Sequence, residues 1–217
     1  MADFAQRRRT MVDTQIRPSD VTSFTVIDAM LNVPREAFVP DDARDLAYVG
    51  GPIPVTATRQ LMEPRTIAKM LEAVDVTPSD LVLEIGPGTG YTTALLARMA
   101  EAVVAVEEDE GLARDAEAAL SLQEVDNAAI LTGALAEGSA RNGPYDAIVA
   151  FAGVEQMPQA ILDQLKEGGR ILALFMDGQL GEVRIGVKIH GVVSWHMEFN
   201  ATAPVLPGFG RAPSFVF

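Results

Sequence analysis

Cysteine is absent from the 217 residues. That removes a disulfide framework, a thiolate metal site and a cysteine nucleophile. Histidine occurs only as His190 and His196, too sparse a supply for a zinc centre, and no metal is expected. Basic residues are scarce relative to acidic ones, 17 against 30, for a net charge of −13. A chain so acidic is repelled by a nucleic-acid backbone and is not a basic membrane-surface protein, so neither is expected as a partner. Long apolar runs are missing as well. The longest, Ala147–Ala152 and Ile171–Met176, have six residues each, where a membrane span needs about 20. Arg7-Arg8-Arg9 is not followed by an apolar stretch of signal-peptide length, and reads as a solvated helix face. The expectation is a soluble, cytoplasmic chain. Its hydrophobic share of 48% and charged share of 22% suffice for one sizeable core.

The pattern changes near residue 78, which divides an N-terminal helical extension (1–77) from a core of alternating strands and helices (78–217). In the extension, Ser19 or Asp20 can cap a helix carrying Phe24, Ile27, Met30 and Leu31 on one face. Gly50–Pro54 is irregular or at most an edge strand. Pro64 suits the first turn of a helix running to about Asp75. Beyond residue 78, strands at Leu81–Ile85, Ala102–Val106, Ala128–Leu131, Asp146–Phe151 and Arg170–Phe175 alternate with helices. The helices are Tyr91–Ala100, Asp109–Leu122 and Pro158–Lys166, the last ended by Gly168-Gly169. That order predicts an α/β fold with a parallel sheet covered on both faces. Val183, Ile185, Val187 and Ile189 alternate with polar neighbours, and Asp177–Glu182 has turn chemistry, so the sheet should finish antiparallel. His190 and His196 read as ordinary sheet residues.

Glu84-Ile85-Gly86-Pro87-Gly88-Thr89-Gly90 follows the first core strand and opens a helix. Glycines there allow a sharp turn and close approach of a ligand. Two nucleotide readings compete. The dinucleotide fingerprint G-x-G-x-x-G fails at its sixth position, Tyr91, and Glu84 would oppose a pyrophosphate. S-adenosylmethionine, with its α-ammonium and sulfonium, suits a carboxylate at that place. Glu107 ends the next strand and can accept both ribose hydroxyls, by the logic of dinucleotide folds; Glu108 follows it. A third reading is a plain glycine turn followed by an acidic helix cap. Thr89 either donates to a cofactor or caps the next helix.

Taken together, several segments resemble the protein-L-isoaspartate O-methyltransferase family. They are Met11-Val12-Asp13-Thr14-Gln15-Ile16, Val33-Pro34-Arg35-Glu36-Ala37-Phe38-Val39-Pro40, Ala47-Tyr48, Leu83–Tyr91, Val106-Glu107, Tyr145–Val149 and Leu162–Arg170. The resemblance implies a Rossmann-like seven-stranded methyltransferase sheet, S-adenosyl-L-methionine as cofactor, and an isoaspartyl carboxylate of a damaged protein as acceptor. Cofactor contacts then fall on Glu84, Gly86, Gly88 and Glu107, within the stretch Glu84–Gly90 and the pair Glu107-Glu108.

The acceptor segment departs from the family pattern, roughly Y-x-D-x-P-L-P-I-x-x-G-Q-T-I-S-x-P. Tyr48–Pro64 puts Gly50 at the aspartate, Gln60 at the threonine and Met62 at the active-site serine, with Pro64 retained. The family's G-D-G appears as Gly133-Ala134-Leu135, so Leu135 would offer an apolar contact beside the adenine. No catalytic residue is assigned. Arg59 or Arg65 could supply a cation to the acceptor, or be a surface charge. Three functions compete: isoaspartyl methylation, a protein of the same fold that binds S-adenosylmethionine without that activity, and nucleic-acid methylation. Phe151-Ala152-Gly153, which lacks an N-P-P-Y type element, and the net charge argue against the last.

Overall fold

The computed structural model describes residues 3–211. Asp3 caps the first helix, α1 (Phe4–Met11), by accepting from the Gln6 amide. The next, α2 (Phe24–Asn32), is capped by Ser23, whose side chain accepts from Val26 N, rather than by Ser19 or Asp20. Asp20 lies at φ 63 in the turn before it. Ile27 and Met30 are buried as expected, but Phe24, at the helix start, points to solvent and is 82% exposed. A two-residue strand, β1 (Ile53–Pro54), pairs antiparallel with β2 (Gln60–Leu61). Pro64 then opens α3 (Pro64–Val74), with Ile67, Met70, Leu71 and Val74 fully buried.

The remaining strands form one seven-stranded sheet: β3 (Leu81–Ile85), β4 (Ala102–Glu107), β5 (Ala128–Thr132), β6 (Tyr145–Val154), β7 (Leu165–Asp177), β8 (Leu180–Ile189) and β9 (Val192–Asn200), in the spatial order β5-β4-β3-β6-β7-β8-β9. Five strands run parallel, and β8 and β9 add antiparallel at one end. The parallel strands read as continuous apolar runs because both faces are covered. Val82, Val103, Ala147 and Leu172 face a core shared with α2, α3 and the helices α4 (Tyr91–Ala97) and α5 (Glu110–Leu122). Leu83, Val104, Ile148 and Ile171 face the other, with Ile161 of α6 (Gln159–Asp163), Leu206 and Phe209.

Three elements end differently from their sequence patterns. Helix α4 stops at Ala97, because the Asn127 side-chain amide reaches the carbonyls of Ala97, Ala100 and Glu101 at 2.9, 3.3 and 3.2 Å and turns the chain toward β4. Helix α6 stops at Asp163, and Lys166–Gly169 belong to β7 instead of a helix end. The Gln164 amide bonds the Ala160 and Glu137 carbonyls at 2.7 and 2.8 Å, which closes the helix and releases Leu165 to pair with Tyr145. His190 sits in the β8–β9 turn at φ 53, not within a strand, while His196 lies exposed on β9 beside Glu198.

The arginine run is not uniformly solvated. Arg8 donates to Tyr48 Oη at 2.9 Å and Glu36 Oε1 at 3.1 Å, and its side chain is 15% exposed. The last described segment bonds the end of β6: Gly153 N donates to Pro204 O and Leu206 N to Gly153 O, both at 2.9 Å. The Ala203–Phe217 tail therefore folds against the strand ends as far as Arg211; Pro213 lies outside the described residues. No described helix is long and apolar enough to cross a membrane.

Candidate cofactor and acceptor site

Strands β4 and β5 lie to one side of β3, and β6 and β7 to the other. The chain therefore reverses its direction of winding between β3 and β6, and open α/β sheets place ligands outside the carboxyl ends of the strands at that point. The loop Gly86–Gly90 occupies it. Gly88 and Gly90 have φ of +59 and +89, a region that L side chains rarely adopt. Their surroundings differ. A Cβ on Gly90 would stand 3.2 Å from the Ala116 side chain, so this glycine lets α5 pack closely. A Cβ on Gly88 would meet nothing within 4 Å.

Glu84 is a carboxylate in an otherwise apolar central strand, with no solvent exposure. Thr93 Oγ1 donates to its Oε2 at 2.5 Å, while Oε1 has no partner. Burial pushes its pKa up from 4.5 to about 7, against the pull of the Thr92 and Thr93 hydroxyls. The folded state thus holds this proton more tightly than the unfolded chain does. The group favours folding most below about pH 4.5; that advantage fades as pH rises to about 7 and is then flat. Glu84→Gln is therefore expected to stabilise the protein at pH 8 by up to roughly 3 kcal/mol, with little gain at pH 4.5. Denaturant titrations at the two pH values check this, and an equal effect at both would contradict it.

Glu107, at the end of β4, is fully buried and saturated with donors. Arg59 grips it with two parallel bonds, Nη1 to Oε1 at 3.0 Å and Nη2 to Oε2 at 2.6 Å. Gly88 N adds a bond to Oε2 at 3.0 Å, and the amides of Glu108 and Asp109 reach Oε1 at 3.0 and 3.2 Å. Arg59 is thus neither a surface charge nor an acceptor-facing cation in this conformation. Arg65 is 58% exposed and paired with Glu63, and both line the large groove. Thr89 does not cap α4, which has no side-chain cap; its hydroxyl donates to Phe38 O at 2.5 Å. Glu108 is exposed. Leu135 is 1% exposed and packs in the core beside Ile85, Val106 and Leu206.

Two cavities meet here. The smaller, about 30 Å³, is lined by Arg59, Gly86, Pro87, Gly88, Thr89 and Phe151, among others. The larger, about 1030 Å³, is an open groove walled by Glu63, Arg65 and Thr66 on one side and by the β7–β8 turn, Arg184 and Asn200–Pro204 on the other. Gln60 and Met62 line both. Two of the three departures from the family's acceptor segment thus stand between the glycine loop and the open groove. Pro64 is buried at the start of α3 just behind them. Gly50 is exposed at the family's aspartate position, and a Cβ there would lie 3.3 Å from Gln15 Oε1.

Comparison with known proteins settles the relationship. The family model for protein-L-isoaspartate(D-aspartate) O-methyltransferase matches residues 6–182. The chain belongs to this family. The protein-L-isoaspartate O-methyltransferase of Pelotomaculum thermopropionicum is 36% identical over 181 residues, which cover 83% of this chain and 79% of that protein. Protein-L-isoaspartate O-methyltransferase 1 of Rhodopseudomonas palustris is 40% identical over 169 residues, covering 78% and 69%. Among solved structures, a protein-L-isoaspartate O-methyltransferase superposes with a TM-score of 0.82 at 23% identity, over 93% of this chain and 66% of that one. A Plasmodium falciparum protein solved with S-adenosyl-L-homocysteine and described as a putative family member gives 0.79 at 18% identity, over 95% and 99%. These two likenesses concern the fold: a seven-stranded methyltransferase sheet with antiparallel terminal strands, as the sequence resemblance implied. Membership also accounts for Val33–Pro40. Arg35 in that segment is wholly buried and donates to Ala47 O at 2.8 Å and Met62 O at 2.7 Å. It ties the approach to Tyr48 to the Met62 backbone, a role that no pattern in the sequence announced.

Proposed function

We propose that the chain is an S-adenosylmethionine-dependent methyltransferase that methylates isoaspartyl carboxylates of damaged proteins, a repair activity. The observation that carries this reading is the placement of Glu84, the open side of Gly88 and Glu107 at the carboxyl ends of β3 and β4, with Gln60 and Met62 dividing them from an open groove of about 1030 Å³.

The residues suit the cofactor. Glu84 Oε1 is buried without a partner, as a carboxylate awaiting a cationic group would be. The backbone at Gly88 leaves room for close approach. Glu107 is held rigid by three amides and has the acceptor atoms a ribose diol needs. When bound, S-adenosylmethionine supplies an electrophilic methyl group. Glu84 would attract its cationic end, Glu107 its ribose, and Pro87, Thr89, Gly90 and Glu108 would line the approach, with Leu135 supporting the floor.

The acceptor side needs little acid–base chemistry. A carboxylate is already ionised at pH 7, and attack on a sulfonium disperses charge. Catalysis then rests on holding the acceptor in line and on excluding water. Met62, 3% exposed, serves the second need and cannot donate a hydrogen bond. Gln60 supplies the polar contact.

Incubation with methyl-labelled S-adenosylmethionine and an isoaspartyl peptide, with the aspartyl peptide as control, tests the assignment. Transfer confined to the isoaspartyl peptide is expected. Cofactor binding without transfer would replace this reading with that of a binding protein of the same fold. Met62→Ser, which restores a hydroxyl at the wall, is expected to raise isoaspartyl turnover at a cost of about 2 kcal/mol in stability from the lost side-chain volume. An unchanged rate would show that Met62 is not what limits the reaction.

A further inference from the structure

Glu107 has two roles to fill and one set of oxygens. Its carboxylate is the group that the proposed function assigns to the cofactor's ribose, yet both oxygens already carry Arg59, at 3.0 and 2.6 Å. The guanidinium also crowds the loop: Arg59 Nη2 lies 3.0 Å from where a Cβ on Gly86 would stand, with Leu206 Cδ2 at 3.1 Å. The pair is well shielded, with side chains 11% and 0% exposed. The cavity that Arg59 shares with the glycine loop, about 30 Å³, is on the order of one water molecule. No nucleoside fits there while Arg59 keeps this position.

Arg59 is carried by the β1–β2 hairpin. The turn is closed by Val55 N and Thr56 N, which donate to Arg59 O at 2.9 and 3.0 Å, and by Thr56 Oγ1, which accepts from Arg59 N at 3.1 Å. The hairpin joins the rest of the sheet through no ladder, since β1 and β2 pair only with each other. Ile53 and Leu61 anchor it in the core, so the group free to exchange without breaking the seven-stranded sheet is the Arg59 side chain. The same hairpin bears Gln60 and leads directly to Met62, the two residues shared with the large groove.

From this geometry we infer that Arg59 is a gate on the cofactor site: its guanidinium occupies the ribose position on Glu107, and cofactor binding requires exchange of that ion pair for the ribose hydroxyls. The inference rests on the proposed function, because it takes Glu107 as the ribose-binding acid.

A competent state that is only partly populated weakens apparent affinity by its fraction, so a gate open about one-tenth of the time costs tenfold. Removing the guanidinium should return that factor. Calorimetric titration of S-adenosylhomocysteine into the full chain is expected to show about tenfold tighter binding for Arg59→Gln than for wild type, and a smaller gain for Arg59→Lys, which loses the two-pronged grip but keeps a charge. Glu107→Gln should bind more weakly than wild type. In the Glu107→Gln background, adding Arg59→Gln should change affinity less than twofold, because the contact it releases is already broken. Should Arg59→Gln fail to fold, the lysine variant carries the test. Equal or weaker binding by the Arg59 variants, with wild type still binding, overturns the gate and leaves the cofactor assignment standing. Absence of binding in wild type and variants alike overturns both.

Discussion

Arg35→Leu is expected to destabilise the fold by about 4 kcal/mol. The residue is 0% exposed and has no carboxylate partner among the described residues. Its charge is answered by the Ala47 and Met62 carbonyls and by the Tyr91 ring, 5.0 Å from the guanidinium carbon. Burial accordingly lowers its pKa, with Tyr91 acting in the opposite sense. Leucine would leave two buried carbonyls unpaired, at about 1–3 kcal/mol each, and forfeit the stacking on Tyr91. Relief from burying a cation offsets part of the loss. In a chain of this size each kcal/mol moves the melting temperature by about 2–4 °C, so a fall of about 10 °C should follow. Arg35→Lys should lie between, since one ammonium cannot span both carbonyls with the fork's geometry. A fall of under 3 °C for the leucine variant would mean that the two carbonyls find other partners and that Arg35 does not hold the acceptor wall.

Gly88→Leu is expected to abolish cofactor binding, a loss of more than about 100-fold in affinity, while leaving the fold intact. No atom lies within 4 Å of the new Cβ, so the structural cost is that of placing a leucine at φ +59, about 1–2 kcal/mol. Nor does the substitution touch the bond from Gly88 N to Glu107. The leucine side chain would project into the space where the nucleoside must lie against the loop. Calorimetry for binding, with thermal unfolding as the fold control, separates the two effects. Affinity within tenfold of wild type would remove Gly88 from the site.

The placement of Glu84, the glycine loop and Glu107 at the ends of β3 and β4 was legible because its logic is local. Glu84 and the glycines are consecutive, and Glu107 follows one strand–helix–strand unit later, so period and composition locate them. The parallel core was legible for the same reason. What escaped was long-range. Arg59 finds Glu107 across 48 positions, and Arg35 reaches Met62 across 27. Each sits in a segment whose local pattern reads as loop, and a charge inside such a segment is ordinarily solvent-facing. Thr89 misled in the opposite way. Its place before a helix suggested a cap, but the Phe38 carbonyl, brought over by the N-terminal extension, takes the hydroxyl. Arg8 followed the same course: two arginines in the run face outward, and the third meets Tyr48 and Glu36, which lie 40 and 28 positions away. The boundaries of α4 and α6 were set by the Asn127 and Gln164 side-chain amides, again from outside the helices they end.

A crystal structure of the chain with S-adenosylhomocysteine tests the account most directly. The ribose is expected on Glu107, the amino group on the side of Glu84, and the Arg59 guanidinium withdrawn from the carboxylate it holds at 2.6 Å. Crystals grown at saturating ligand that retain the Arg59–Glu107 pair, with the ligand elsewhere or nowhere, would contradict both the gate and the methyltransferase site behind it.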